Sequence, residues 1–152
     1  MREILFKGKV KAGYKWEAEG EWIEGSLIYP DNENGTICQI ASSYLSSNND
    51  GSVMVVAYEI DPETICQYTG LTDKNGRKIF EGDIVRYKDE VLGKVKTDEI
   101  KYNETHAAFC RLHKGETGLQ YLFIDEAIAN KCEVVGNIFE NPELVEESTT
   151  GI

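Results

Sequence analysis

The sequence predicts a mainly β protein, a small β-barrel or sandwich with one short helix. Three observations carry that expectation. Apolar residues recur with a period of two through most of the chain. Turn residues (Asn, Gly, Asp) interrupt these runs every few positions, which is the spacing of short strands. Only residues 125–131 combine acids at the start with a base at the end, the pattern of a helix.

Taken in order, Ile4, Phe6 and Val10 alternate with Glu3, Lys7 and Lys9, giving a first strand. Trp16, Ala18 and Trp22 alternate with Glu17, Glu19 and Glu21, after which Ile23, Leu27 and Tyr29 take the inward parity. Gly20 and Gly25 allow a bulge or bend where the parity changes. Val53 to Ile60 is a continuous apolar run rich in β-branched residues, the signature of a strand covered on both faces. Pro30 to Gly35 and Ser46 to Gly51 are turns, and the first sixty residues therefore read as a β meander.

Thr72-Asp73-Lys74-Asn75-Gly76 lies between Tyr68 and Lys78-Ile79-Phe80, and its Asn-Gly pair predicts a hairpin with two consecutive positive φ values. Glu81-Gly82-Asp83 then launches the strand Ile84 to Tyr87. Further short strands are expected at Val91–Lys96, Ile100–Tyr102, Ala107–Leu112, Leu119–Ile124 and Glu133–Phe139. Asn75, Gly76, Gly82 and Asp83 read as structural, because sharply coiled sheets need such backbone angles.

Composition bounds the function. The chain has 152 residues, 41% hydrophobic and 28% charged, which excludes disordered and fibrous classes. Sixteen Lys+Arg against twenty-seven Asp+Glu give a net charge of −11, so generic binding to phosphate polyanions is disfavoured. The acidity is spread: residues 1–60 carry −4, residues 61–140 carry −4, and residues 141–152 carry −3 as an acidic tail. No apolar run has the length of a membrane span, and the charged N-terminus lacks a signal-peptide pattern, so a cytoplasmic location is expected.

Cys38, Cys66, Cys110 and Cys132 are separated by 28, 44 and 22 positions, too far apart for a redox dithiol or zinc knuckle. They read as small buried hydrophobes. His106, Cys110 and His113 would share a face on a helix and could then hold zinc. On a strand His113 points away from the other two, so the set falls apart. No nucleophile elbow, phosphate loop or metalloprotease motif is present, and neither a cofactor nor catalysis is expected.

One local feature opposes the net charge. With a three-residue loop at Asp89-Glu90-Val91, Arg86 and Lys88 would lie across from Lys94 and Leu92, and Lys96 would join them. The simpler reading of that basic face is a solvated edge protected by lysines; the functional one is contact with nucleic acid or an acidic protein. Trp16, Tyr44, Tyr68 and Tyr102 are the candidate exposed aromatic contacts.

Three blocks carry a family resemblance. They are Arg2–Lys9 with Glu21–Leu27; Gln67–Val85, reading QYTGLTDKNGRKIFEGDIV; and Val135–Leu144, reading VGNIFENPEL. Together they resemble the YopX-like family of small proteins carried by bacteriophages and prophages. The resemblance implies a phage accessory protein whose fold contains an SH3-like barrel, which associates with itself and has no catalytic residues. Its expected organisation is an N-terminal β meander over 1–60, the SH3-like barrel over 61–140 and the tail over 141–152. Its expected partners are a second copy of itself and a host or phage protein, with nucleic acid as the alternative.

Overall fold

The computed structural model describes residues 1–11, 20–29, 38–45 and 50–146, with backbone alone at 44, 45 and 146. The protein is mainly β, with antiparallel sheets and only short helices. It divides into two compact units, Met1–Gln67 and Tyr68–Ile152. The division falls inside a strand, seven residues beyond the boundary expected at residue 60.

In the first unit, β1 (Phe6–Lys9), β2 (Trp22–Ile28), β3 (Cys38–Leu45) and β4 (Val53–Ile60) form a meander. The other side of β1 pairs with the start of β5 (Cys66–Thr72), at Cys66 and Gln67. A bridge from Val10 to Ile60 brings the end of β4 back toward β1, so the sheet curls into a barrel without complete closure. Val10, Ile40 and Ile60 fill its core, with Phe6, Ile23, Leu27, Tyr58 and Ile65 packed around them. The inward parity read for Ile23 and Leu27 therefore holds, whereas Tyr29 lies beyond the strand and is exposed. Two glycines permit the curl. A Cβ on Gly8 would meet Ile60 Cγ2, and one on Gly25 would meet the main-chain carbonyl of Ala41.

The run Val53–Ile60 is not covered on both faces. It forms β4, which pairs with β3 along its length, while among the described residues only Ile60 is bridged on the other side. Val53, Met54 and Val55 are 60%, 47% and 68% exposed, and burial begins only toward Ile60. The continuous apolar pattern comes from an edge position and not from a central one.

In the second unit, β7 (Asp83–Lys88), β8 (Val95–Asn103), β9 (Ala108–Gly115), β10 (Gly118–Phe123) and β11 (Glu133–Asn137) form a sheet. Its order is β10-β9-β8-β7-β11. Beside it, the end of β5 pairs with β6 (Lys78–Phe80), and α1 (Glu126–Ala129) lies over the core. Ile79, Val85, Ile100, Ala129, Cys132 and Val134 are the buried centre of this incompletely closed, barrel-like unit. The helix expected over 125–131 is one turn, capped by Asp125 Oδ1 accepting from Ile128 N at 2.8 Å. Residues 141–146 of the acidic segment are docked: α2 (Glu143–Glu146) buries Val145, and Thr97 donates to its Leu144 carbonyl at 2.7 Å.

The hairpin turn differs in type from the expectation. Gly76 has a φ of 78°, but among the described residues Ala107 is the one non-glycine with positive φ, so Asn75 does not share the left-handed region. Gly76 N bonds Asp73 O and Asp73 N bonds Arg77 O, which is a turn over Lys74-Asn75 followed by a left-handed glycine. Asp73 decides this geometry. Its Oδ1 accepts from Asn75 N at 2.8 Å and Arg77 N at 2.9 Å, and its Oδ2 accepts from Val134 N at 2.9 Å. The side chain therefore ties the hairpin to β11 while only 3% exposed.

Burial pushes the Asp73 carboxyl up, but the N–H groups of Val134, Arg77 and Asn75 together outweigh it and hold it below its ordinary value. Its stabilising contribution is therefore fully present above the ordinary carboxylate range and is lost as pH falls through the lowered folded-state value. Asp73→Ala is expected to cost about 2–3 kcal/mol in urea unfolding at neutral pH, from the buried Val134 N–H left unpaired and the loss of the two part-buried bonds to Asn75 and Arg77. An Asp73→Asn variant should show a shallower loss of stability with acid than the parent; identical acid limbs would remove Asp73 from that role.

Candidate interaction site

The basic hairpin face is the first candidate, and the structure takes it apart. Arg86, expected opposite Lys94, lies opposite Thr97, and Lys88 lies opposite Val95. That shift of three positions is odd, and an odd shift moves side chains to the other face of a strand. Lys96 therefore stands opposite Tyr87, away from Arg86 and Lys88, and its Nζ meets Asp89 Oδ2 at 2.6 Å. The cause is Asp89. Its Oδ1 accepts from Val91 N and Leu92 N, wrapping Asp89–Lys94 into a longer loop than three residues. The Lys96 hydrogen bond, with those two N–H groups, holds the Asp89 carboxyl down at about 2. Val91 and Leu92 sit in this loop at 92% and 60% exposure, so the strand expected from Val91 begins at Val95. Arg86 also faces Glu133 across β11. The four cations do not form one surface.

The opposite, inner face of the sheet holds a polar cluster that sequence reasoning missed. Asp98 is fully buried, with Oδ1 2.7 Å from His113 Nδ1 and Oδ2 3.5 Å from Arg111 Nη1. Arg111 Nε donates to Phe123 O at 2.9 Å, and its guanidinium lies over the Tyr87 ring at 4.7 Å. Burial first, then the charge and hydrogen bond of Asp98, push the Tyr87 phenol well above its ordinary value, so it stays protonated. A cavity of about 220 Å³ opens beside Tyr87, Arg111, Ile128 and Cys132. Burial also raises the Cys132 thiol, which argues against a thiolate there. The cluster joins β7, β8 and β9 through one shared carboxylate.

The His106, Cys110 and His113 set is dispersed. His113 belongs to the Asp98 cluster, Cys110 Sγ points to Lys101 O at 3.3 Å on the other face of β9, and His106 lies in the preceding turn. Among the described residues no group of three potential ligands could hold a metal ion. Cys38, Cys66, Cys110 and Cys132 are all free and buried.

The candidate aromatics separate as well. Trp16 and the Tyr44 side chain lie outside the described residues. Tyr68 is 6% exposed, packed on Phe80 at 5.4 Å with Lys78 Nζ over its ring, so it is core and not contact surface. Its place on β5, opposite Phe80, turns the ring inward. Tyr102 is 38% exposed and meets Phe109 edge-on.

The strongest exposed surface lies on β10. Leu119, Tyr121 and Phe123 occupy alternate positions, therefore one face, and are 62%, 54% and 87% exposed. Among the described residues β10 pairs with β9 alone and is the edge of its sheet. A shallow groove of about 120 Å³ runs beside Tyr121 and Phe123, lined also by Ala108 and Cys110. The alternation was legible in the sequence; which face would stay uncovered was not.

Among solved structures, the crystal structure of protein EF1440 from Enterococcus faecalis is similar in fold, with a TM-score of 0.51 and 24% identity. The match covers 95% of this chain and 99% of that one. No curated protein sequence matches the chain. The family model described as YopX protein matches residues 15–146, nearly the whole chain and including the hairpin block around Asp73. The chain belongs to the YopX family.

Proposed function

We propose that this protein is a non-enzymatic phage or prophage accessory that acts in the bacterial cytoplasm as a homo-oligomeric protein-interaction module. The observation that supports it is the apolar surface on two sheet edges, Val53–Val55 on β4 and Leu119, Tyr121 and Phe123 on β10. Edge strands with exposed apolar side chains are templates for association unless something covers them. The polar groups that could have suggested chemistry are engaged with one another: Asp98 with His113 and Arg111, and Lys96 with Asp89. With the cations of the β7–β8 hairpin divided between faces, a protein partner fits this surface better than nucleic acid does.

Native mass tests the self-association. A multiple of the 17.1 kDa chain mass supports the reading, and a monomer at micromolar concentration overturns it. Affinity capture from a host lysate, with and without nuclease, tests the other partner. A defined protein that survives nuclease supports an interaction module; a partner lost with nuclease would return the reading to nucleic acid.

A further inference from the structure

We propose that β10 is the self-contact: two copies pair their β10 strands antiparallel about a two-fold axis at Tyr121, joining two sheets into one. This rests on the reading that the protein associates with itself, and it names the surface, the register and the residues.

The strand is self-complementary in that register. Rotation about Tyr121 places Tyr121 opposite its own copy and Leu119 opposite Phe123 of the second copy, twice. All three residues share a face, so every exposed apolar side chain of β10 meets another one. Shifting the axis to Leu122 would leave Leu119 opposite Asp125, which is the worse match. No residue from Gly118 to Phe123 is charged, so the strand lacks the lysine or proline that commonly guards an edge.

Lys114, cross-strand from Leu119, lies at one end with Glu116 in the adjoining turn, and Asp125 and Glu126 lie at the other. The rotation exchanges the ends and sets Glu116 in register with Glu126 of the other copy, so the strand ends repel. Lys114, one strand further in, offsets this only in part.

With aromatic side chains presenting roughly 150–250 Å², exposures of 62%, 54% and 87% leave on the order of 400 Å² of apolar side chain per copy. Edge pairing covers the flanks of these side chains and leaves the sheet face open, so they supply part of the ~800 Å² per partner of a standard interface. The strand's main-chain edge, Gln120, Leu122 and the groove beside Ala108, where Leu119 of the second copy arrives, supply further area.

Each chain carries −11, so bringing copies together sets like net charges side by side, and added salt should tighten the association. The decisive experiment reads register as well as mass. In native mass measurement Phe123→Lys should lower the assembly's stoichiometry or weaken it at least tenfold, with an unchanged circular dichroism spectrum, because Phe123 makes little contact within the chain. Under mild oxidation Tyr121→Cys should form a disulfide-linked pair, since the two-fold sets position 121 against itself. Leu119→Cys should not, because its two copies are roughly 13 Å apart along the strands. The native cysteines are all buried and do not compete. An assembly indifferent to Phe123→Lys, or crosslinking at 119 and not at 121, overturns this contact while leaving self-association intact. A monomeric parent protein overturns both.

Discussion

Replacing Gly25 with alanine is expected to cost more than about 3 kcal/mol, because the new methyl group has nowhere to go. It would lie against Ala41 C and O, backbone atoms of the neighbouring strand, with Ile40 Cγ2 on a further side. A side chain can rotate away, but a carbonyl in a ladder cannot move without its strand, and β3 is held by β4 along its whole length. The pairing of Ser26, Leu27 and Ile28 with Ala41, Ile40 and Gln39 should open first. Urea unfolding together with hydrogen exchange at those amides measures both effects. Gly51→Ala is the control: its φ is 76°, but nothing lies within 4 Å of its Cβ, so only the ~1 kcal/mol of a left-handed residue is expected. Equal losses at the two positions would show that crowding at Ala41 is not the cause.

Removing the Asp98 carboxylate should be comparably severe. Asp98→Ala leaves the Arg111 guanidinium and the His113 ring, 11% and 12% exposed, without their shared acceptor, at a cost of about 3–5 kcal/mol. The cost belongs to the orphaned partners more than to the lost attraction. Replacing Asp98 and Arg111 together with Leu and Met should therefore recover much of the stability. Urea midpoints for the single and double variants decide between these accounts. A double variant whose total loss equals the sum of the two single losses would show that the two side chains act independently.

These two expectations come from features that differ in how well the sequence announced them. Gly25 stood out as a bend in an alternating strand, and the structure supplied the reason, a close approach of β3. The Asp73 hairpin was legible because turn chemistry is local, although the turn type was misread: Asp73 uses both carboxylate oxygens, which leaves a single left-handed residue at Gly76. Asp98 gave no signal. One aspartate among twenty-seven acids looks like surface until the neighbouring strands place His113 and Arg111 beside it.

The basic hairpin failed for a related reason. The strand Ile84 to Tyr87 was read correctly, but Val91 to Lys94, expected in the next strand, belong to the loop that the Asp89 side chain folds, and the resulting odd shift reassigns every face. Tyr68 was taken for a contact because an aromatic beside a turn carries no mark of direction. Its burial follows from pairing with Phe80, twelve residues further along the chain.

By itself, then, the sequence determined the β-rich class, the place of the Asp73–Gly76 turn, the short helix near residues 125–131 and the family, because these follow from periodicity, local backbone chemistry and residue order. The tertiary structure alone decided which faces are covered. Val53–Val55 and Leu119–Phe123 have the composition of buried strands, yet both lie at sheet edges among the described residues, where no neighbouring strand removes them from water. Exposure depends on what packs against a strand, and that is set by residues distant in the chain.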